Sequence, residues 1–419
     1  MKTLDIWPAF PLVVYGDVPD TSSVDNVVAQ LEHTGDRISR IDLHFSVTLR
    51  IEKLWTALQV PFPKLKVLAL TFRGLPGPVL PDSLLGGSAP HLRFLSLVSV
   101  SFPALPRILL SAARLVYLHL WSIPHSGYCD FSPKAVVASL HMLTSLESFE
   151  LGFSSPRSYL DRENRRSPLP TRSILPALTT FQFQGGIKYL EDFVSRIDAP
   201  RLDTLSITFF YDIGIFLDTP ELNQFINRTP ISGAYDEARF VFNKYGARVR
   251  LLSHHGSSDR QADIPTQRNE RMVDVYLLQS RSDWQLLCLM QISITLSLRL
   301  LSTMESLFIY DNPLTPPDDI ENTTSDWSNL LLIFTAVKNL YLADKVAPRI
   351  APALQELTGG SGGRIDEVFP ALQNIFLEGF QSSEPVQEGI AQLISALQLN
   401  NHPVAISVWD RGSSAWNFC

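Results

Sequence analysis

The pattern that most directly suggests chemistry is Gly359-Gly-Ser361-Gly-Gly363, which matches the G-x-S-x-G elbow of serine nucleophiles. That elbow needs a strand before it and a helix after it. Here helical periodicity ending near Leu357 precedes the glycines and the polar Arg364-Ile-Asp-Glu367 follows, so the segment reads as a flexible loop. His254 and His255 lie in a polar stretch with no cysteine or carboxylate at metal-ligand spacing, and read as a solvated pair. Asp318, Asp319 and Glu321 follow Pro317, where a turn and the start of a helix account for them. There is no G-x-x-x-x-G-K-[ST] phosphate loop and no H-E-x-x-H zinc helix. The expectation is a protein that is not an enzyme and carries neither cofactor nor metal.

Recognition is the chemistry that remains, and it depends on how the chain positions its side chains. The 419 residues are 45% hydrophobic and 18% charged, which is the composition of a folded chain. A net charge of −7 without long single-sign runs gives no basic footprint for nucleic acid. Three cysteines, Cys129, Cys288 and Cys419, cannot build a disulfide framework, and the first residues show no basic start followed by an apolar run. Both features predict an intracellular setting, cytoplasmic or nuclear. The most lipid-like stretch, Trp284 to Leu301, is broken by Gln285, Gln291, Ser293 and Arg299, so it reads as a buried helix leading to a strand.

A spaced apolar triplet organises the chain. It occurs at Leu65/Leu68/Leu70, Leu92/Leu95/Leu97, Leu115/Leu118/Leu120, Leu146/Phe149/Leu151, Leu178/Phe181/Phe183 and Leu202/Leu205/Ile207. After a gap it resumes at Met304/Leu307/Ile309, Val337/Leu340/Leu342 and Leu372/Ile375/Leu377, with Ile38/Ile41/Leu43 as an earlier copy. Copies are roughly 23 to 35 residues apart, the range of leucine-rich repeats and a little beyond. Segments with helical periodicity precede most copies, among them 24–33, 132–143, 187–197, 326–336 and 386–397. Prolines two residues ahead of several triplets stop the helix before the strand begins. The predicted fold is α/β: an irregular leucine-rich-repeat solenoid with a parallel concave sheet and helices on the convex face. The expected organisation is one solenoid over 1–419, capped by 1–36 and 378–419. Degenerate repeats fill 208–303, with a hairpin insertion near residues 238–272.

Strand alternation then nominates the binding surface. If the triplets face the helices, the interleaved residues project from the sheet's other side. These are Phe94, Tyr117, His119 and Trp121 early in the chain, and Phe308, Tyr310, Tyr341 and Phe376 late. Exposed aromatics on such a face are anchors for a protein partner. A loop between repeats carries Arg157, Arg162, Arg165 and Arg166 and could hold an acidic or phosphorylated partner.

Three features together resemble the F-box-associated leucine-rich-repeat proteins of mushroom-forming fungi. They are Leu4 to Gly16 (LDIWPAFPLVVYG), the irregular repeats, and Asp283 to Ile292 (DWQLLCLMQI). The resemblance covers nearly the whole chain. It implies that the repeats hold a protein substrate while an F-box, a short helical module ahead of them, docks on the adaptor of a cullin ubiquitin ligase. No such module is recognisable before Ile6, so a cullin adaptor is an expected partner only if an F-box exists upstream. The alternative is a free-standing interaction protein. The asparagine ladder of regular repeats is nearly absent, so the turns must satisfy their backbone groups otherwise.

Overall fold

Each apolar triplet marks a turn and the strand that follows it. Leu65 closes a turn by donating its N–H to the Phe62 carbonyl at 3.1 Å, and Leu68 and Leu70 point from the next strand into the core, each 0% exposed. The same turn recurs before Leu92, Leu115, Leu146 and Leu178. In the computed structural model the described residues are 10–46, 51–74, 77–101, 107–124, 131–155, 172–210, 219–233, 235–253, 271–278, 282–296, 298–311, 324–359, 369–378, 384–399 and 403–409. They fall into two units, Met1–Leu202 and Asp203–Cys419.

Unit 1 runs β1 (Leu12–Val18), α1 (Thr21–Thr34), β2 (Ile38–Phe45), α2 (Glu52–Leu58), β3 (Val67–Phe72), β4 (Phe94–Val98) and α3 (Ile108–Ser111). It continues with β5 (Tyr117–Ile123), α4 (Pro133–Leu140), β6 (Ser148–Phe153), β7 (Ser173–Ile174), β8 (Thr180–Gly185), α5 (Ile187–Ser195) and β9 (Ile197–Asp198). Its sheet has the order β1-β2-β3-β4-β5-β6-β8, parallel throughout, and β7 pairs with β9 apart from it. The triplets are in phase: Leu68, Leu95, Leu118, Phe149 and Phe181 stand side by side across five strands. Burying each contributes about 1.5–3 kcal/mol, and each is at most 1% exposed. Helices cover this apolar face, as when Phe193 of α5 packs 5.9 Å from Phe149 and 5.5 Å from Phe181. Ser132 caps α4 by accepting the Ala135 N–H at 3.3 Å, with Pro133 at the first helical position.

A backbone ladder links successive repeats where each strand begins. The residue after the first apolar position, and the one following it, both donate to the carbonyl of the equivalent position one repeat earlier. Arg93 and Phe94 reach Lys66, Val116 and Tyr117 reach Arg93, and Glu147 and Ser148 reach Val116, all at 2.8–3.0 Å. No side chain is needed, so the sequence can leave that position variable.

Unit 2 runs β10 (Thr204–Phe210), α6 (Pro220–Arg228), β11 (Glu237–Asn243), β12 (Gly246–Leu252), β13 (Met272–Leu278), α7 (Ser282–Thr295) and α8 (Leu298–Leu301). Then come β14 (Ser306–Asp311), α9 (Thr324–Leu331), β15 (Asn339–Leu342), α10 (Ala347–Gly359), β16 (Asn374–Glu378), α11 (Glu384–Leu399) and β17 (Ala405–Trp409). The expected hairpin is present: β11 and β12 pair antiparallel around Lys244-Tyr245, and Asn243 Oδ1 accepts the Tyr245 N–H at 2.8 Å. Its placement departs from a simple insertion. The sheet order is β10-β13-β12-β11-β14-β15-β16-β17, so the chain first lays down β11 beside β14 and works back until β13 lies beside β10. In this unit α9 starts at Thr324 and ends at Leu331, earlier than the periodicity suggested, and Phe334 and Val337 fill the core from the turns that follow. In both units apolar triplets and parallel strands recur with helical crossovers, which is the α/β leucine-rich-repeat architecture.

Candidate binding face

The helix-free face of β4, β5 and β6 gathers four of the residues nominated from the sequence. Phe94 and Tyr117 stack with ring centroids 4.4 Å apart and planes 9° off parallel. His119 lies 6.2 Å from Tyr117 and 5.6 Å from Trp121, so the three rings of β5 form a continuous strip. All four are half-buried, because each ring leans on the next repeat. Trp121 rests over Gly152 of β6: a Cβ there would meet indole Cε3 at 2.6 Å, so only glycine leaves room for the ring. Ser122 behind it has φ 53°, a left-handed conformation that costs a non-glycine residue energy and goes with the register shift between Leu120 and Ile123.

A polar line crosses the same strip. Ser96, His119 and Glu150 are in register on β4, β5 and β6. The Ser96 hydroxyl meets His119 Nδ1 at 2.9 Å, and His119 Nε2 lies 3.6 Å from Glu150 Oε2, an arrangement that suits the tautomer with hydrogen on Nε2. The Tyr117 hydroxyl donates to Glu150 Oε1 at 2.6 Å. Burial lowers the His119 pKa from its ordinary 6.5 against the opposing pull of the Glu150 charge. Burial, with the Glu150 hydrogen bond and charge, raises the Tyr117 phenol above its ordinary 10. Serine, histidine and carboxylate are the residue types of a hydrolase relay, but Ser96 is only 7% exposed. The strand N–H groups beside it run into the parallel ladder, which leaves no pair of donors aimed at a reacting carbonyl. The trio is suited to holding a ligand group by hydrogen bonds and charge.

The late aromatics form a different object. Phe308, Tyr341 and Phe376 stack on adjacent strands with centroid separations of 4.0 and 4.4 Å. Trp409 of β17 meets Phe308 and Tyr341 edge-on at 5.9 and 5.6 Å. The Arg239 guanidinium extends the stack 5.7 Å from the Phe308 centroid and is itself paired with Glu237. Phe308 and Tyr310 were expected as exposed anchors, yet they are 8% and 5% exposed. Neighbouring side chains and the C-terminal strand enclose them. Tyr341 and Phe376 are half-buried. Three strands away from Phe308, on β13, Asp274, 3% exposed at its side chain, takes Arg248 Nε at 2.6 Å and Arg250 at 3.1 Å. Ser306, Asn339 and Asn374 add a short side-chain ladder, with 3.4 and 2.9 Å steps.

Sequence reasoning missed Ser96, Glu150, Gly152, Arg239 and Trp409. Glu150 was readable, since it occupies an interleaved position between Phe149 and Leu151, but attention to aromatics passed over it. Arg157, Arg162, Arg165 and Arg166, the paired histidines and Ser361 lie outside the described residues. Among the described residues no group of three or more His, Cys, Asp or Glu is placed to hold a metal ion, and no helix is long and apolar enough to cross a membrane.

No protein-family model matches the sequence, and no curated protein sequence matches it. Solved structures do match, among them the leucine-rich repeat-containing protein LegL7 from Legionella pneumophila. It is 11% identical, with 90% of this chain and 97% of that one covered and a TM-score of 0.29.

Proposed function

We propose that the chain is a protein-binding repeat scaffold whose partner docks on the helix-free face of β4–β6. The observation that carries this reading is the Phe94–Tyr117–His119–Trp121 strip: large rings, pre-positioned by strand register and by Gly152, with no helix packed over them among the described residues. Rigid, half-desolvated aromatics are the side chains that dominate protein interfaces, because little conformational entropy is lost when they bind.

The experiment selects random heptapeptides on the purified chain, then rebuilds the recovered peptides with a photo-crosslinking residue. Crosslinks are expected on residues of β4, β5 and β6. Crosslinks confined to other strands would remove this face from consideration.

The finer reading, that the scaffold is the substrate-recognition part of a cullin-based ubiquitin ligase, draws its support from the resemblance of 4–16 and 283–292. On that reading the chemistry is proximity: the repeats hold a protein while a ligase carried elsewhere modifies it. The competing reading is an interaction protein with no ligase coupling. Tagging the native protein and identifying its companions by mass spectrometry separates them. A cullin adaptor among the companions favours the first reading, and companions without one favour the second.

A further inference from the structure

We propose that Glu150 is the anchor point for a cationic side chain of the bound protein, an arginine before a lysine. The inference rests on the protein-binding reading of the β4–β6 face and adds the chemistry of what sits there.

Several acids on these sheets have an arginine partner. Asp42 of β2 has Arg40, Glu237 has Arg239, Asp274 has Arg248 and Arg250, and Asp311 has Arg349. A carboxylate taken partly out of water is paired with a cation or becomes costly. Glu150 has no lysine or arginine partner among the described residues. Its side chain is 19% exposed, and its polar partners are a tyrosine hydroxyl and an imidazole that burial disfavours from carrying charge. From β3 to β8 the interleaved positions of this face contain no lysine or arginine, and Glu150 is their single acid. The other positions next to it, Ser148, Thr180 and Gln182, carry no charge, so no neighbouring charge in register opposes a cation there.

The walls around that carboxylate also suit a cation. His119 is in register with Glu150, and Tyr117 and Trp121 lie two residues to either side of it on β5. A group descending onto Glu150 passes between a phenol and an indole, whose ring faces attract cations, the indole most strongly. A guanidinium fits better than an ammonium because it is planar, stacks on rings and meets a carboxylate with two parallel N–H bonds. Both Glu150 oxygens keep lone pairs for this, since Oε1 accepts one hydrogen bond and Oε2 faces His119 only at 3.6 Å.

The test uses the heptapeptides selected on the wild-type chain. Selection is expected to fix an arginine or lysine at one position. Replacing that arginine by citrulline, which keeps shape and removes charge, is expected to weaken binding at least about tenfold. On Glu150→Gln, which keeps an acceptor for the Tyr117 hydroxyl, the same replacement is expected to change affinity less than about twofold. A wild-type selection with no cationic position, or an equal citrulline penalty on both chains, would overturn the inference while crosslinks on β4–β6 kept the docking face itself. Peptides that crosslink only elsewhere would remove the docking face and Glu150 with it. Should Glu150→Gln fold poorly, the wild-type selection still overturns the inference when no cationic position is fixed, and a photo-crosslinker at a fixed cationic position that labels no residue of β5 or β6 does the same.

Discussion

Two aromatic clusters line the sheet in this protein, one on β4–β6, the proposed docking face, and one on β14–β17 with Arg239 of β11. In the second, Phe308, Tyr341 and Phe376 stack ring on ring, Trp409 closes over two of them, and the nearby charges are matched, Glu237 with Arg239 and Asp274 with Arg248 and Arg250. In the first, Tyr117, His119 and Trp121 are strung along one strand, and the carboxylate has no lysine or arginine partner among the described residues. Rings repeated at the same register position on adjacent strands cover one another, as Phe94 and Tyr117 also do in the first cluster. His119 and Trp121 are instead in register with Ser96 and Val98 on β4, which stack no ring on them. A charge with no counter-charge points outward for its partner, and a matched one belongs to the fold.

The comparison breaks most visibly at the charges. Glu237→Leu is expected to cost about 3 kcal/mol, because it removes the carboxylate paired with the buried Arg239, whereas Glu237→Leu combined with Arg239→Met is expected to cost less. Glu150→Gln strands no cation and is expected to stay within about 1 kcal/mol of wild type. Urea unfolding of the three variants measures this. A Glu150 variant that loses as much as the Glu237 variant would show that the two clusters are alike.

A smaller effect concerns pH. His119 faces Ser96 of β4, Glu150 of β6 and, along β5, Tyr117 and Trp121; Glu150 and Tyr117 are the titratable groups among them. Because burial holds its pKa below the ordinary 6.5, the unfolded chain takes up this proton more readily than the folded one. The stability contribution is therefore complete above pH 6.5 and is lost as pH falls through the depressed folded value. Wild type is expected to lose stability relative to His119→Gln between pH 7 and 5. Unfolding midpoints of the two proteins that move in parallel between the two pH values would contradict the assignment. His119 protonation also places a cation beside Glu150, so peptide affinity is expected to fall in the same direction.

Much of the fold was legible because the triplet carries its own geometry. One apolar position closes a turn and two face the helices, and that spacing located β2 through β6, β8, β10 and β14 through β16 from residues alone. The reversed order of β11, β12 and β13 was not legible. Each of those strands reads as a strand wherever it is placed, and no spacing records which neighbour it chooses. The face of the aromatics was likewise readable from alternation, but their burial was not. The closure of Phe308 depends on Trp409, about one hundred residues away in sequence, and on Arg239 from the reversed strands. Glu150 shows the opposite case, a residue visible in the pattern whose proposed role rests on its described neighbours, a phenol and an imidazole with no lysine or arginine among them.

The central claim, that β4–β6 is the docking face and β11–β17 is not, is tested most directly by comparing selected-peptide affinity for two variants. Tyr117→Leu with Trp121→Leu removes both rings of the first cluster but keeps apolar bulk. Leucine is the better replacement here: these rings are half-buried, and truncation of each to alanine would cost about 2 kcal/mol, more than a surface change does. Tyr341→Leu opens the stacked ladder of the second cluster. The account predicts at least about tenfold weaker binding for the first variant and less than about twofold change for the second. Unchanged affinity on Tyr117→Leu with Trp121→Leu, together with a large loss on Tyr341→Leu, would contradict it.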